Sequence, residues 1–252
     1  MTLMVVFLLL TYLAASVPFG LAITSLYGGD TDIRSAGSGN IGATNVARLY
    51  GWRLAIPVLL LDISKGAIPV LLGTWIWPES GTLWLLMLAA APFTGHCFSI
   101  FLEFRGGKGV ATAAGVLLTL APLPMLGAIV VWAGLLAFFG RSSMASLISA
   151  LILLICSALL ELDALPAVLL LCAGIAYTHT TNIQRLLRGE EKQIIRPVRW
   201  GRPKNQESTG ADILNESVSG QGSAPALWKE EVSDPLSDTD SPQIFVTEVT
   251  PD

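Results

Sequence analysis

The sequence has little charge. Only 13% of its 252 residues are Asp, Glu, Lys or Arg, whereas a soluble domain has about a quarter. Hydrophobic residues make up 52% of the chain, and the mean hydropathy is +0.62. This composition is too apolar for a water-soluble globule, which excludes a DNA-binding protein or a cytosolic enzyme and indicates an integral membrane protein.

Cysteine and histidine are also scarce. The three cysteines, Cys97, Cys156 and Cys172, lie in apolar stretches, so we expect reduced, buried thiols without a disulfide framework. The chain has only two histidines, His96 and His179, and this number disfavours a Cys/His zinc site. We therefore expect neither a disulfide nor a bound metal.

Charge is distributed unevenly along the chain. Up to Lys204 there are 14 basic and 9 acidic residues, whereas from Asn205 onward a single base, Lys229, stands against 10 acids. The second part is rich in Ser, Thr, Gly and Pro and cannot bury enough apolar surface to offset the entropy of ordering. We predict a membrane domain over residues 1–195 and a disordered, acidic cytoplasmic tail over 196–252.

Apolar segments predict the number of membrane spans. A bilayer core about 30 Å thick needs roughly 20 apolar residues in a helix. Apolar segments lie at residues 3–26, 54–76, 83–102, 110–120, 124–139, 143–160 and 165–181. Residues 110–139 could form one long span, but Ala121-Pro122-Leu123-Pro124 interrupts it, because proline lacks the N–H that a helix needs. We predict an all-α membrane protein with seven transmembrane helices.

Basic residues predict the orientation of these helices. With seven spans and the amino terminus outside, the inner segments up to Lys204 hold 13 of the 15 Lys and Arg, and the three outer loops hold none. Basic loops stay on the cytoplasmic side of a membrane. We therefore predict an N-out, C-in protein, since six spans would place the later loops on the wrong sides.

The first of three unusual inner segments is residues 30–48. It places Ser38, Asn40 and Arg48 among glycines, which let the backbone come close to a ligand. The planar fork of arginine can bind two phosphate oxygens. A flexible polar loop rich in turn-forming residues would have the same composition.

The second segment, residues 95–112, contains Gly106-Gly107-Lys108-Gly109 directly before an apolar helix. Backbone amides and a helix amino terminus favour an anion at such a place. The segment is not a Walker A loop, because no glycine precedes Lys108 at the required spacing and Gly109 follows it. An ordinary cytoplasmic lysine in a turn is the alternative.

The third segment, residues 179–191, has His179, Asn182 and Arg185 at every third position. These side chains share one face if the last helix continues. A stop-transfer cluster of Arg185 and Arg188 would explain the arginines but neither His179 nor Asn182.

Two ionisable residues, Asp62 and Lys65, lie one turn apart in the second apolar segment. Such groups are costly inside a membrane and often functional. Two interpretations remain open: an ion pair that shields itself, or an Asp62 that orients a basic residue of a site.

Together the three segments predict a site for a phosphate and a lipid-like group at one membrane face. The cations that they supply are Arg34, Arg48, Arg105, Lys108 and Arg185. The small residues at 109–115 would admit an apolar tail between helices. A transporter of small anions and a membrane scaffold are the alternatives. The chain lacks the internal symmetry that is common in transporters, and a scaffold would leave the three segments unexplained.

In order along the chain, these segments resemble the three motifs of the bacterial acyl-phosphate:glycerol-3-phosphate acyltransferases, the PlsY family. The matching stretches are residues 38–48, 95–112 and 179–191, and Asp62-Ile-Ser-Lys65-Gly66 resembles that family's second helix. The similarity covers about residues 3–195. It implies a seven-helix enzyme of the bacterial plasma (inner) membrane, with its site at the cytoplasmic face.

The resemblance also implies a reaction. A long-chain acyl phosphate donates its acyl group to the 1-hydroxyl of sn-glycerol 3-phosphate, giving lysophosphatidic acid and phosphate, the first step of phospholipid synthesis. Neither acyl-CoA nor acyl carrier protein is implied, and no metal, other cofactor or covalent acyl-enzyme. The implied partners are the two substrates, membrane lipids and an enzyme that produces acyl phosphate, but no nucleic acid.

Residue roles follow from the same motifs. The implied substrate-binding residues are Ser38, Asn40, Arg48, Gly106, Gly107, Lys108, Ser143, His179, Asn182 and Arg185, where the two glycines act through their amides; the implied catalytic residues are Lys108, His96, His179 and Arg48. The base stays open, because His96, His179 or a substrate phosphate could take the hydroxyl proton. Arg141-Ser142-Ser143 departs from the family's spacing, so either serine could contact substrate.

Overall fold

The computed structural model describes residues 1–27 and 32–194, and within these ranges the chain is helical and contains no β-strand. The α-helices are α1 (Thr2–Ala15), α2 (Phe19–Leu26), α3 (Ala43–Tyr50), α4 (Trp52–Ile76), α5 (Gly81–Cys97), α6 (Val110–Leu120), α7 (Pro122–Phe139), α8 (Ser142–Leu160), α9 (Leu165–Thr178) and α10 (Thr180–Leu187). The all-α prediction is confirmed for this part of the chain. The predicted disordered tail, residues 196–252, lies outside the described residues.

Four segments are long and apolar enough to cross a membrane: α4, α7, α8 and Gly81–Leu102, which is α5 with the turn that follows it. Two bent pairs, α1 with α2 and Leu162–Thr178 with α10, qualify only if each pair is one span. Helix α6 has 11 residues, about 16 Å of helix, which is too short for a core of about 30 Å. Each predicted segment contains a helix, but by length the described residues hold four to six spans. Seven spans remain a prediction.

The proline-rich break inside residues 110–139 is confirmed. Helix α6 ends at Leu120 and α7 begins at Pro122. Proline is tolerated at the first position of a helix because the missing N–H would have no partner there. This stretch of sequence therefore forms two helices and not one continuous span.

Glycines allow α4 and α6 to approach each other closely. A Cβ at Gly66 would collide with the carbonyl oxygen of Thr112. One at Gly115 would collide with the carbonyl oxygen of Ile63. Small residues permit this kind of contact between membrane helices. Because α6 begins just after Lys108, the contact fixes the glycine-rich turn relative to α4.

A buried apolar cluster packs beside this contact. Leu88 of α5, Leu117 of α6 and Leu171 of α9 belong to it and are at most 1% exposed. The rings of Trp77 and Trp84 extend the cluster, with centroids 5.1 Å apart where the α4–α5 connection lies. The predicted motifs lie at the opposite ends of α4 and α5.

Candidate active site

The four connections that contain the predicted site residues meet at one end of the bundle. They are the loop before α3 with α3 itself, the loop before α6, the α7–α8 turn and the chain after α9. Lys108 Nζ donates to Asn182 Oδ1 and so joins the second segment to the third. Lys192 Nζ donates to the Gly37 carbonyl oxygen at 2.6 Å, across 155 residues of sequence. The structure thus brings the three predicted segments together.

The first loop is organised by a buried side chain, Asn45, in the first turn of α3. Its Nδ2 donates to the carbonyl oxygen of Ile33 at 2.8 Å. Its Oδ1 accepts from the Ser38 amide at 2.8 Å and from Arg48 Nη1 at 3.1 Å. Gly37 has a φ of +63°, and a side chain there would collide with the Asn45 amide. Asn45, which the sequence analysis missed, therefore positions both Ser38 and Arg48.

Other polar residues of the same loop have partners within it. Asn40 Oδ1 accepts from the Gly42 amide at 2.8 Å, and this leaves the Asn40 NH₂ group for a ligand. Arg34 pairs with Asp32 at 2.7 Å on the exposed surface. Arg34 therefore does not belong to the cation cluster that the sequence predicted.

Three cations, Arg48, Lys108 and Arg185, share an electrostatic environment with the carboxylate of Glu191. Burial lowers the pKa of Lys108 to about 8, an effect that Glu191 opposes and the two arginines reinforce. Burial also lowers the pKa of Arg48 from its ordinary value. Arg48 Nε is buried and has no hydrogen-bond partner within residues 1–27 and 32–194. Partly desolvated cations with an unpaired donor favour the binding of an anion.

The glycine turn before Lys108 is attached to the end of α5. The Gly106 amide donates to the Cys97 carbonyl oxygen at 2.9 Å. The Gly107 amide donates to the His96 carbonyl oxygen at 3.0 Å. Both amides have backbone partners in this structure, and their binding of phosphate stays a prediction. The glycines shape the turn, and Lys108 Nζ is the donor that it presents.

His96 is packed beneath this turn and is only 4% exposed. A Cβ at Gly107 would collide with the imidazole near Nε2. On the other side, His96 Nδ1 is 3.6 Å from a carboxylate oxygen of Asp62, which pairs with Lys65 Nζ at 2.9 Å. The ion pair between Asp62 and Lys65, one of the two interpretations of these residues, is thus present. It lies beside His96, which packs against the glycine turn.

The helix through the third segment does not continue straight. Helix α9 ends at Thr178, and α10 begins at Thr180 after a bend of 60°. His179 lies at the bend, 2% exposed, with Nδ1 2.8 Å from the Ile175 carbonyl oxygen. Nδ1 is therefore the protonated nitrogen, and Nε2 remains an acceptor. The bend, and not a continuous helix face, therefore determines the position of His179 relative to Asn182.

Glu191 is a site residue that the sequence analysis did not single out. Its Oε1 accepts from Ser143 Oγ at 2.6 Å and from Asn182 Nδ2 at 2.7 Å. Its Oε2 accepts from Arg185 Nε at 3.0 Å. Burial opposes ionisation of Glu191, but these three hydrogen bonds outweigh burial and hold the pKa below its ordinary value. The site therefore contains an ionised carboxylate among its cations.

The same carboxylate distinguishes the two serines at the start of α8. Ser143 is 3% exposed and donates to Glu191, so Ser143 is the serine that the structure brings to the candidate site. Arg141 Nε donates to the Glu191 carbonyl oxygen at 3.3 Å and ties the same turn to the third segment. The sequence signal for Glu191 was an acidic pair, Glu190-Glu191, in an otherwise basic inner segment.

Known sequences resemble this chain over most of its length. A sequence profile described as glycerol-3-phosphate acyltransferase matches residues 5–189. A glycerol-3-phosphate acyltransferase of Syntrophotalea carbinolica is 40% identical over 200 residues, which cover 77% of this chain and 98% of that protein. One of Myxococcus xanthus is 44% identical over 189 residues, which cover 73% of this chain and 96% of that protein.

Solved structures give the same family. The crystal structure of PlsY, an integral membrane glycerol 3-phosphate acyltransferase, in its glycerol 3-phosphate form has a TM-score of 0.70 at 34% identity. Its lysophosphatidic acid form has a TM-score of 0.68 at 33% identity, and each comparison covers 75% of this chain and 94% of the other. The fold, the converging motifs and these similarities agree, and the chain belongs to the PlsY family of integral membrane glycerol-3-phosphate acyltransferases.

Proposed function

We propose that this acyltransferase takes its acyl group from a long-chain acyl phosphate and transfers it to the 1-hydroxyl of sn-glycerol 3-phosphate. The products are 1-acyl-sn-glycerol 3-phosphate and phosphate, and the reaction is the first step of phospholipid biosynthesis. The two solved structures of PlsY are its glycerol 3-phosphate and lysophosphatidic acid forms, which supports this acceptor and this product.

The observation that supports a phosphate-bearing donor is the cation cluster of Arg48, Lys108 and Arg185. Glycerol 3-phosphate brings a single dianion to the site. Three cations from three separate segments, together with the neutral donors Ser143 and Asn182, suit two phosphates held side by side. A thioester donor has no phosphate at its reacting carbon, so it would leave part of this cluster unpaired.

In the proposed reaction the 1-hydroxyl oxygen attacks the acyl carbonyl carbon. The bond from that carbon to the phosphate oxygen breaks, and phosphate leaves with the electron pair. The hydroxyl proton passes to His179 Nε2, which can accept it because Nδ1–H is bound to the Ile175 carbonyl, or to the leaving phosphate. His96, the third base that the sequence offered, is packed beneath Gly107.

An acyl phosphate is already activated, so the protein mainly holds the substrates together and neutralises charge. Alignment of reacting groups supplies roughly 7–11 kcal/mol in favourable cases. Each fixed donor to the developing charge adds about a hundredfold or more in comparable sites. We assign phosphate oxygens to Ser38, Asn40 and Arg48, the leaving phosphate to Lys108, substrate orientation to Ser143, His179 and Asn182, and the second phosphate to Arg185.

We propose that the site lies at the cytoplasmic face of the bacterial inner membrane, in an N-out, C-in bundle of seven spans, where an acyl-phosphate-producing enzyme supplies the donor. The arginines and lysines of the converging loops support this orientation. The test places a single cysteine at Glu79 or at Arg188, after the native cysteines have been replaced by alanine. An impermeant maleimide should label Glu79→Cys from outside the cell and Arg188→Cys only after lysis; labelling of both from outside contradicts the orientation.

The donor is tested with membranes from expressing cells, labelled glycerol 3-phosphate and either palmitoyl phosphate or palmitoyl-CoA. We expect labelled lysophosphatidate with palmitoyl phosphate, and none with palmitoyl-CoA or with membranes that carry Lys108→Ala. Product from palmitoyl-CoA alone would reject the proposed donor. Label that accumulates inside sealed vesicles without product lipid would indicate transport instead.

A further inference from the structure

The carboxylate of Glu191 occupies donors that the proposed function assigns to the substrates. It accepts hydrogen bonds from Ser143 of α8 and from Asn182 and Arg185 of α10, and its side chain is 9% exposed. Donors from two helices therefore converge on one carboxylate. This is the arrangement in which proteins bind a small anion, with an internal side chain in the position of the ligand.

The backbone that carries this carboxylate is anchored on both sides. Gly189, with a φ of +73°, lets the chain turn back from the end of α10. Arg141 Nε donates to the carbonyl oxygen of Glu191 at 3.3 Å. The Ile194 amide donates to the carbonyl oxygen of Gly140 at 2.7 Å. These contacts involve only the backbone of the segment, so rotation of the Glu191 side chain would not break them.

A substrate phosphate and the Glu191 carboxylate cannot occupy these donors at the same time. Both groups present acceptor oxygens to these donors, and like charges within about 4 Å of each other repel strongly in a partly buried site. The charge of Glu191 also acts on Lys108 and Arg48 and offsets their mutual repulsion. When the carboxylate leaves, all three cations face the incoming anion.

We propose that Glu191 is a resident anion, which occupies a phosphate position in the free protein and gives way when a phosphate monoester enters. The inference rests on the proposed function, because it takes Ser143, Asn182 and Arg185 to be phosphate ligands. It explains how a cluster of partly buried cations stays ordered without substrate. It also makes Glu191 a competitor that weakens phosphate binding and helps the product phosphate to leave.

The direct test measures the binding of inorganic phosphate to the purified full-length protein by calorimetry. Glu191→Gln keeps the shape of the side chain but removes its charge, so we expect phosphate to bind about tenfold more tightly. Glu190→Gln is the matched control. Glu190 is exposed, and its side chain has no hydrogen bond or ion pair within the described residues. Phosphate affinity in this control should stay within about twofold of the wild type. A folded Glu191→Gln protein that binds phosphate no more tightly than the wild type would overturn the proposal.

A second measurement begins with the wild-type protein, so its main result does not depend on the folding of a variant. Infrared difference spectra, recorded with and without inorganic phosphate, report the carboxylate stretching bands. Displacement of Glu191 from its three donors should change these bands, and the change should persist in Glu190→Gln. An unchanged carboxylate region at saturating phosphate would refute displacement.

Steady-state kinetics identify which phosphate displaces Glu191. A lower KM for glycerol 3-phosphate in Glu191→Gln assigns the position to the acceptor, and a lower KM for palmitoyl phosphate assigns it to the donor. An enzyme that forms lysophosphatidate but shows neither decrease would refute the resident anion and leave the proposed function intact. A wild-type protein that forms no product from palmitoyl phosphate would refute the proposed function, while phosphate binding still tests Glu191.

Discussion

Lys108 Nζ lies 2.5 Å from Asn182 Oδ1, although 74 residues separate the two. The amide nitrogen of Asn182 donates in turn to Glu191 at 2.7 Å. A neutral amide thus links the lysine of the glycine turn to the carboxylate beyond α10. Because Asn182 contacts both groups, it sets the distance between Lys108 and Glu191. We assign the first to the leaving phosphate and propose that a phosphate displaces the second.

Replacement of Lys108 by alanine should abolish turnover without affecting membrane insertion. The substitution removes the cation assigned to the leaving phosphate, and loss of one such donor costs about a hundredfold or more in comparable sites. The measurement is lysophosphatidate formation in membranes with matched protein content. Arg105→Ala removes an exposed cation from the same loop and should keep most of the activity. Equal losses in both variants would show that only the overall charge of the loop matters.

Replacement of Arg48 by alanine should likewise reduce kcat/KM by about a hundredfold or more. Arg48 is half-buried and has an unpaired Nε, whereas Arg34 of the same loop is exposed and pairs with Asp32. Arg34→Ala is therefore the control, and its activity should stay close to that of the wild type. A variant Arg48→Ala with normal kinetics would remove the first loop from the site.

Activity should fall as the pH rises through about 8, because burial lowers the pKa of Lys108 to about 8. Below this pH the free enzyme carries the ammonium that binds phosphate, and above it the charge is lost. The pH profile of kcat/KM should therefore have an alkaline limb near this value. A bound phosphate favours the charged form, so the limb in kcat should lie at higher pH. In Lys108→Arg the charge persists, and the alkaline limb of kcat/KM should disappear. Retention of the same limb in that variant would assign it to another group.

The contact between Gly107 and His96 predicts a compensating pair of substitutions. Gly107→Ala should lower activity by about tenfold or more, because the new Cβ collides with the imidazole and shifts the turn that carries Lys108. Removal of the ring in His96→Ala/Gly107→Ala should restore part of that loss. If His96 were instead the general base, His96→Ala would be inactive and the double variant would show no recovery.

Deletion of residues 205–252 should leave most of the activity. Among the described residues, those of the candidate site all precede Ile194, and the deleted part carries one basic and ten acidic residues. The measurement compares the rates of the truncated and full-length proteins in membranes. A complete loss of activity with normal insertion would show that the tail contributes to the site.

Local patterns in the sequence were sufficient for the helices and for the main cations. Apolar runs and proline have short-range effects, which is why the break before Pro122 could be predicted. Glycine beside Arg48 or Lys108 indicated loops that approach an anion. Glu191 and Asn45 were missed because their roles depend on partners that only folding brings near them.

Composition and the order of the motifs determined by themselves that this chain is a helical membrane protein, and they predicted which segments bind anions, since hydrophobicity, charge and glycine content act on neighbouring residues. Only the tertiary structure decided how these segments are used. In it, the amides of Gly106 and Gly107 donate to carbonyl oxygens at the end of α5, the chain bends at His179, and Glu191 lies among three donors. Each of these outcomes depends on which helix ends pack together, and that packing is a property of the whole bundle.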